Sequence, residues 1–340
     1  MINAITSTLN RINTKKTYKI LCMPTHEGYQ TLMGKTGHEF YMIGGINPQN
    51  RQPFKGWDFH TRPLPENHYL YLRDFTQIYS DVTFDLILSQ NRLDQFPILQ
   101  DVSRKLNIPL IQLEHTQPPP GMNDKSLRQL VKERRADIHV YITDFNKQAW
   151  YAEPKDFVIR HGIDTETFKG WNGNNPSGLS IVNYFPQRDA FCGWKLWSEI
   201  TKDIPIELVG ENPNLSKSIN SVPELVSKIA SSRFYLNTSQ WSPVPLSMLE
   251  AMAVGCPVVT TAKQEIPSII TNGVNGLMSD DPEELKKYCK QLIEDKEMAK
   301  QIGEAGRQTI LTAFSIGRFS QQWQSVFDAA FNKGRFGYGS

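Results

Sequence analysis

Between Ser242 and Thr261 the chain reads SPVPLSMLEAMAVGCPVVTT, and Glu250 is its single charged side chain. A carboxylate among Leu, Met and Ala is costly to bury unless something hydrogen-bonds it. Glu250 therefore either reaches solvent or holds a ligand. Leu246, Leu249, Met252 and Ala253 recur at helical spacing and mark a buried face. Pro245 suits a first helical turn, where a missing N–H removes no bond, and Gly255 suits the end. The start of this helix, Leu246 and Ser247, offers unpaired N–H groups and the positive end of a helix dipole, a cradle for phosphate.

Other chemically capable residues follow apolar runs. Arg188, in YFPQR, presents a rigid fork that fits phosphate oxygens, or else pairs with Asp189 at the surface. His115, in EHTQ, either hydrogen-bonds within a cleft or serves as a loop or helix-capping histidine. Gly28, in THEG, permits a ligand to approach the backbone closely, whereas His26 reads as a polar loop residue. Gly210 opens GENPN after another apolar run. No GxGxxG occurs, which disfavours a dinucleotide site. Lys125–Arg135 (KSLRQLVKERR) forms an amphipathic helix whose basic face is foremost a solvated surface; anionic lipid or nucleic acid is the alternative partner.

The elements that must position these groups alternate between strand-like and helical patterns, which predicts parallel sheets covered by helices. Strands are expected at 18–23, 40–43, 86–89, 109–113, 138–142 and 157–159. A second set is expected at 179–183, 206–209, 234–236, 258–260 and 276–278. Lys169–Gly178 (KGWNGNNPSG) reads as a linker between the sets. Asp281-Pro282-Glu283-Glu284 starts a helix with a cap and a first-turn proline. The organisation is thus a domain over 1–168, a linker over 169–178 and a second domain over 179–315. A final helix over 316–332 and a tail over 333–340, expected to be disordered, follow. The fold class is α/β, with two doubly wound, Rossmann-like domains. Ligands of such sheets bind beyond the carboxyl ends of the strands.

At 340 residues the chain accommodates two domains, and 39% hydrophobic with 21% charged residues fits a globular protein. A net charge of +2 gives no global attraction to nucleic acid or membrane. Cys22, Cys192, Cys256 and Cys289 are scattered without metal-ligand spacing, so a reducing cytoplasm fits and Cys22 and Cys256 read as small core hydrophobes. The first sixteen residues are polar and do not resemble a secretory signal, and no apolar run is long enough to span a membrane.

Four segments in order carry a family resemblance: Gly37-His38-Glu39-Phe40, Arg160-His161-Gly162-Ile163-Asp164 with Phe168 beyond it, Leu246–Val259, and Asn272-Gly273-Val274-Asn275-Gly276. Together the chain resembles glycosyltransferases of the GT-B fold in the retaining family numbered four. The resemblance implies a second domain that binds a nucleotide-diphosphate sugar and a first domain that binds the acceptor. It implies that Glu250 holds the donor ribose, that Arg188 steadies the departing diphosphate, that His115 lies near the sugar, and that the last helix returns to the first domain. Two departures stand out. The family's earlier glutamate is Ser242 here, and its lysine before a glycine is Cys192, with Lys195 nearby. No Asp-x-Asp triplet occurs, which disfavours the metal-dependent GT-A type.

The reading is a metal-independent transferase with no cofactor. Its donor residues are Arg188, Gly210, Ser242, Leu246, Ser247 and Glu250, its acceptor-side residues Gly28 and His115, and its catalytic groups His115 and Arg188. Its partners are a nucleotide-sugar donor and a hydroxyl acceptor on glycan, lipid or modified nucleic acid. The rivals are a transferase acting on a DNA base, for which Lys125–Arg135 speaks, and a weakened nucleotide-sugar-binding protein, for which Ser242 and Cys192 speak.

Overall fold

The computed structural model describes residues 16–43, 61–71 and 82–336. Its first sheet comprises β1 (Lys19–Cys22), β2 (Glu39–Ile43), β3 (His68–Tyr71), β4 (Leu86–Ser89), β5 (Leu110–Glu114), β6 (Ile138–Tyr141) and β7 (Phe157–Val158). The strands lie in the order β3-β2-β1-β4-β5-β6-β7, and every pairing is parallel. Helices α1 (Glu27–Gly34), α2 (Phe96–Leu106), α3 (Asp124–Glu133) and α4 (Asp144–Ala149) make connections between them. Every residue of β4, β5 and β6 is buried, as expected of parallel strands covered on both faces.

The second sheet comprises β8 (Asn175–Ile181), β9 (Ile206–Val209), β10 (Ser232–Asn237), β11 (Val258–Thr260) and β12 (Leu277–Met278), in the order β12-β11-β10-β8-β9 and again parallel. Around it lie α5 (Asp189–Cys192), α6 (Trp194–Ile200), α7 (Val222–Ser231), α8 (Leu246–Val254), α9 (Ile266–Ile269), α10 (Pro282–Glu294) and α11 (Lys296–Ala313). In each sheet the chain builds outward to one side and then returns to build the other. The reversals fall between β1 and β4 and between β8 and β10, and the crevices there are where such sheets bind ligands.

The last helix, α12 (Ile316–Phe336), returns to the first sheet. Phe319, Trp323, Val326, Phe327 and Ala330 are fully buried; the Trp323 indole N–H donates to Tyr29 Oη at 3.1 Å, and Tyr18 Oη donates to Asp328 at 2.6 Å. The chain thus passes between the sheets twice, and the two passages run side by side. Ile163 N–H donates to Phe314 O at 2.8 Å, Ile163 pairs with Ser315, and Arg318 donates to the carbonyls of Arg160 and His161, each at 2.8 Å. Gly162 is required there, because a Cβ on it would stand 2.8 Å from Phe319 Cγ.

Several boundaries differ from the sequence expectation. β8 begins at Asn175, inside the stretch read as a linker, and ends at Ile181. Gly178 and Trp171 of that stretch serve packing. A Cβ on Gly178 would meet the Phe234 ring at 2.5 Å, and the Trp171 indole N–H is pinned to Ser232 O at 2.8 Å. β3 (His68–Tyr71), four residues long, was not anticipated. Pro245 stands just before α8 in an extended conformation rather than in its first turn. Asp281 caps α10 as expected, with Pro282 leading it. α12 continues to Phe336, so residues 333–336 of the expected tail are helical; 337–340 and the first fifteen residues lie outside the described residues. All four cysteines are free and buried, and burial raises their thiol pKa values.

Candidate active site

Leu246 and the whole stretch from Met248 to Val254 are buried, because α8 is sandwiched under the second sheet, with Gly255 in the left-handed region closing it. Its N-cap residue, Pro245, makes no side-chain capping bond. The first N–H groups of such a helix have no intrahelical acceptor. Glu250 lies one turn into α8 and is buried, and long helical side chains lean back toward the N-terminus. It does not reach solvent. Its Oε1 accepts from Arg62 Nη2 at 2.5 Å, and burial raises its carboxyl pKa against the pull of that guanidinium. Ser247 Oγ is 2.7 Å from Tyr235 Oη on β10, which also interacts electrostatically with Glu250 and Cys192.

Gly28 stands in the first turn of α1, at the end of the crevice beside β1. A Cβ on it would stand 2.8 Å from Leu246 Cδ2, 3.2 Å from His26 Cε1 and 3.4 Å from Arg62 Nε. The close approach that Gly28 permits is therefore to the start of α8 across the cleft. His26 is the N-cap of α1, its Nδ1 accepting from Tyr29 N–H at 3.2 Å.

Arg188 ends a single 3-10 turn after β8, and its Nη1 donates to Asn183 O at 3.3 Å. The aspartate beside it is engaged elsewhere: Asp189 accepts from Lys195 N–H at 2.9 Å, with the Lys195 ammonium 3.5 Å away. Gly210 follows β9 with φ of 124° and stands against Val182 O and Asn183, a place no side chain could occupy. Asn212 ties these two loops together, donating to Val182 O at 2.8 Å and accepting from Phe185 N–H at 2.6 Å. The loop after β10, which carries Ser242, is tied to α5: Thr238 Oγ1 donates to Cys192 O at 3.0 Å, and the N–H groups of Gln240 and Trp241 donate to Phe191 O.

His115 is half-buried just beyond β5, edge-on to the Tyr29 ring at 4.5 Å between centroids. It caps no helix. Its Nε2 is 3.1 Å from Gln90 Oε1, Gln90 Nε2 donates to Gln30 Oε1 at 2.6 Å, and Gln30 Nε2 is 2.9 Å from His68 Nε2. His68 Nδ1 in turn lies 3.1 Å from Asn67 Oδ1. The whole chain is satisfied when His115 carries its proton on Nε2 and His68 on Nδ1. Burial holds the His115 pKa well below the ordinary histidine value, with His26 and His161 adding to the effect, so the ring is neutral at pH 7.

The cleft also holds residues that sequence reasoning did not single out. Arg62 reaches Glu250 from the first domain, and beside it Thr61 Oγ1 donates to Ile219 O at 2.7 Å. Trp241 Nε1 donates across the cleft to Pro118 O at 2.9 Å, next to Gln117, whose buried amide has neither atom hydrogen-bonded. Glu265 accepts from Phe145 N–H at 3.1 Å and approaches Arg160 at 3.9 Å. A strand end followed by a buried polar residue, as in EHTQ, was the available signal for Gln117. On α3, Leu127 and Val131 are buried; the Arg128 guanidinium lies over Tyr151, and neighbouring Arg134 donates to the carbonyls of Arg92 and Leu93. Among the described residues no group of three or more His, Cys, Asp or Glu is placed to hold a metal ion, and no helix is long and apolar enough to cross a membrane.

Two facing parallel α/β domains with a polar cleft between their switch points define the GT-B class. HepE from Anabaena, solved in complex with UDP, superposes with a TM-score of 0.70 at 15% identity, over 92% of this chain and 100% of that one. Residues 206–309 match the family model described as glycosyl transferases group 1. An uncharacterised glycosyltransferase of Methanocaldococcus jannaschii is 24% identical over 66% of this chain and 70% of its own length. Another, from Haemophilus influenzae, is 23% identical over 86% of this chain and 92% of its own length. The chain is a glycosyltransferase of the GT-B fold, and its match to group 1 covers residues 206–309.

Proposed function

We propose that this glycosyltransferase moves a sugar from a nucleoside-diphosphate donor to an acceptor hydroxyl, with retention and without a metal ion. The observation that carries the reading is Glu250, a buried carboxylate one turn beyond an uncapped helix start in the cleft. The diphosphate rests on the N–H groups of Leu246 and Ser247, and the ribose hydroxyls donate to Glu250. Arg188 approaches from the loop after β8, and Gly210 lets the loop after β9 lie close against Val182 and Asn183 beside it. Negative charge grows on the diphosphate as the glycosidic bond breaks, and fixed cations and backbone dipoles stabilise it there. That charge stabilisation is the service a metal supplies in other transferases. The acceptor hydroxyl attacks the anomeric carbon from the face the diphosphate leaves. A new C–O bond forms as the old one breaks, and the hydroxyl proton passes to the departing phosphate oxygen. His115, neutral, hydrogen-bonds the sugar from the acceptor side near Gly28, and Ser242 stands on the loop that faces it. HepE's complex with UDP supports a donor of this kind.

Glu250→Gln keeps the shape and an acceptor for Arg62 but removes the charge. It is expected to weaken nucleoside-diphosphate binding by about tenfold or more, the scale of a lost charge-assisted hydrogen bond. Titration calorimetry reads the affinity, and unchanged affinity overturns the donor assignment. Donor hydrolysis assayed in the presence of EDTA tests the chemistry: turnover should persist. Binding without turnover on any sugar nucleotide would instead favour a nucleotide-sugar-binding protein.

A further inference from the structure

Arg62 belongs to the first domain, yet its guanidinium lies in the proposed donor site of the second. Nη2 donates to Glu250 Oε1 at 2.5 Å, and Nε lies beside the point where a Gly28 Cβ would meet Leu246, the first residue of α8. The guanidinium thus borders both the helix start and the carboxylate one turn beyond it. The two side chains are only 12% and 5% exposed, so water screens them weakly. Thr61, its neighbour, is anchored to Ile219 O, which holds this segment against the second domain. A guanidinium has five N–H donors in a planar fork, suited equally to a carboxylate and to a phosphate. Glu250 cannot serve both Arg62 and a ribose with the same oxygen. Lys195 is turned to Asp189.

We propose that Arg62 is a donor-binding residue. In the empty site it rests on Glu250; when a donor enters, it transfers to the diphosphate and leaves Glu250 to the ribose. The leaving group is then held from both domains at once, by Arg188 from the second and Arg62 from the first. Diphosphate recognition is thereby tied to a closed cleft. This inference rests on the donor reading above.

The test is a ratio. Nucleoside diphosphates (UDP, GDP, ADP, CDP and dTDP) are screened on the wild-type chain, and the tightest is compared with its own nucleoside by calorimetry. In Arg62→Gln the preference for diphosphate over nucleoside should fall about 10- to 100-fold, and Arg62→Lys should restore part of it. Thermal melting establishes that each variant is folded, and Arg62→Gln combined with Glu250→Gln removes both charges of this pair together. An unchanged ratio, including one in which both affinities rise together, overturns the assignment and leaves Arg62 a plug that the ribose displaces. If the wild-type chain binds none of the diphosphates, the donor reading itself fails and this inference with it.

Discussion

Glu250 and His161 illustrate two ways in which burial acts on a single ionisable side chain. Glu250 keeps a cationic partner within hydrogen-bonding distance, whereas His161 is buried at the passage between the domains with its pKa held down to about 3, mainly by burial, with His26 adding to the effect. An unfolded histidine titrates near 6.5. Below that pH the unfolded chain takes up a proton that folded His161 refuses, so acidification favours unfolding until the folded value is reached. His68, held to about 4, and His139, held to about 2, act in the same direction. Stability should therefore fall from pH 6.5 toward 4. In His161→Asn the slope of unfolding free energy against pH should flatten, by up to about 1.4 kcal/mol per pH unit, in denaturant titrations over that range. An identical slope in the variant would sink the assignment. The same scale separates what could be read in advance from what could not. Glu250 was legible because a lone carboxylate in an apolar helix demands a partner. Arg62 was not, because its segment, HTRPLPEN, has no periodicity and its partner lies 188 residues away.

Among the elements, strands built on an apolar run were legible almost to the residue: β4, β9 and β11 stand where the patterns placed them. Patterns failed where turn-forming residues serve packing, as in the first half of β8, or where a strand is short, as in β3. The face of α12 was legible too. Trp323, Val326, Phe327 and Phe331 follow helical spacing; the first three are fully buried and Phe331 packs against the same core. Trp323→Ala should cost about 3–5 kcal/mol, as truncation of a large aromatic in a core does. The loosening should be local to α12. Hydrogen exchange should speed up across residues 316–336 more than in β10, and a uniform acceleration would contradict this role.

At the scale of the molecule, the two sheets meet in two places of different character. Across the cleft mouth run polar contacts: Arg62 to Glu250, Thr61 to Ile219 O and Trp241 to Pro118 O. On the other side run the two chain passages, bonded to each other through Ile163, Phe314 and Ser315 and locked by Arg318. Polar contacts can be exchanged for a ligand's, whereas covalent passages cannot. Spin labels at exposed Leu93 and Leu215 should report a distance that changes when nucleoside diphosphate is added. Labels at Lys35 and Thr312, close to the passages, should not. Equal changes at both pairs would refute this picture. A single connecting strand would act as a swivel, free to turn about every axis. Two strands bonded side by side resist twisting more than swinging, like a door on two pins. A swing about that line brings Gly28 back against the head of α8.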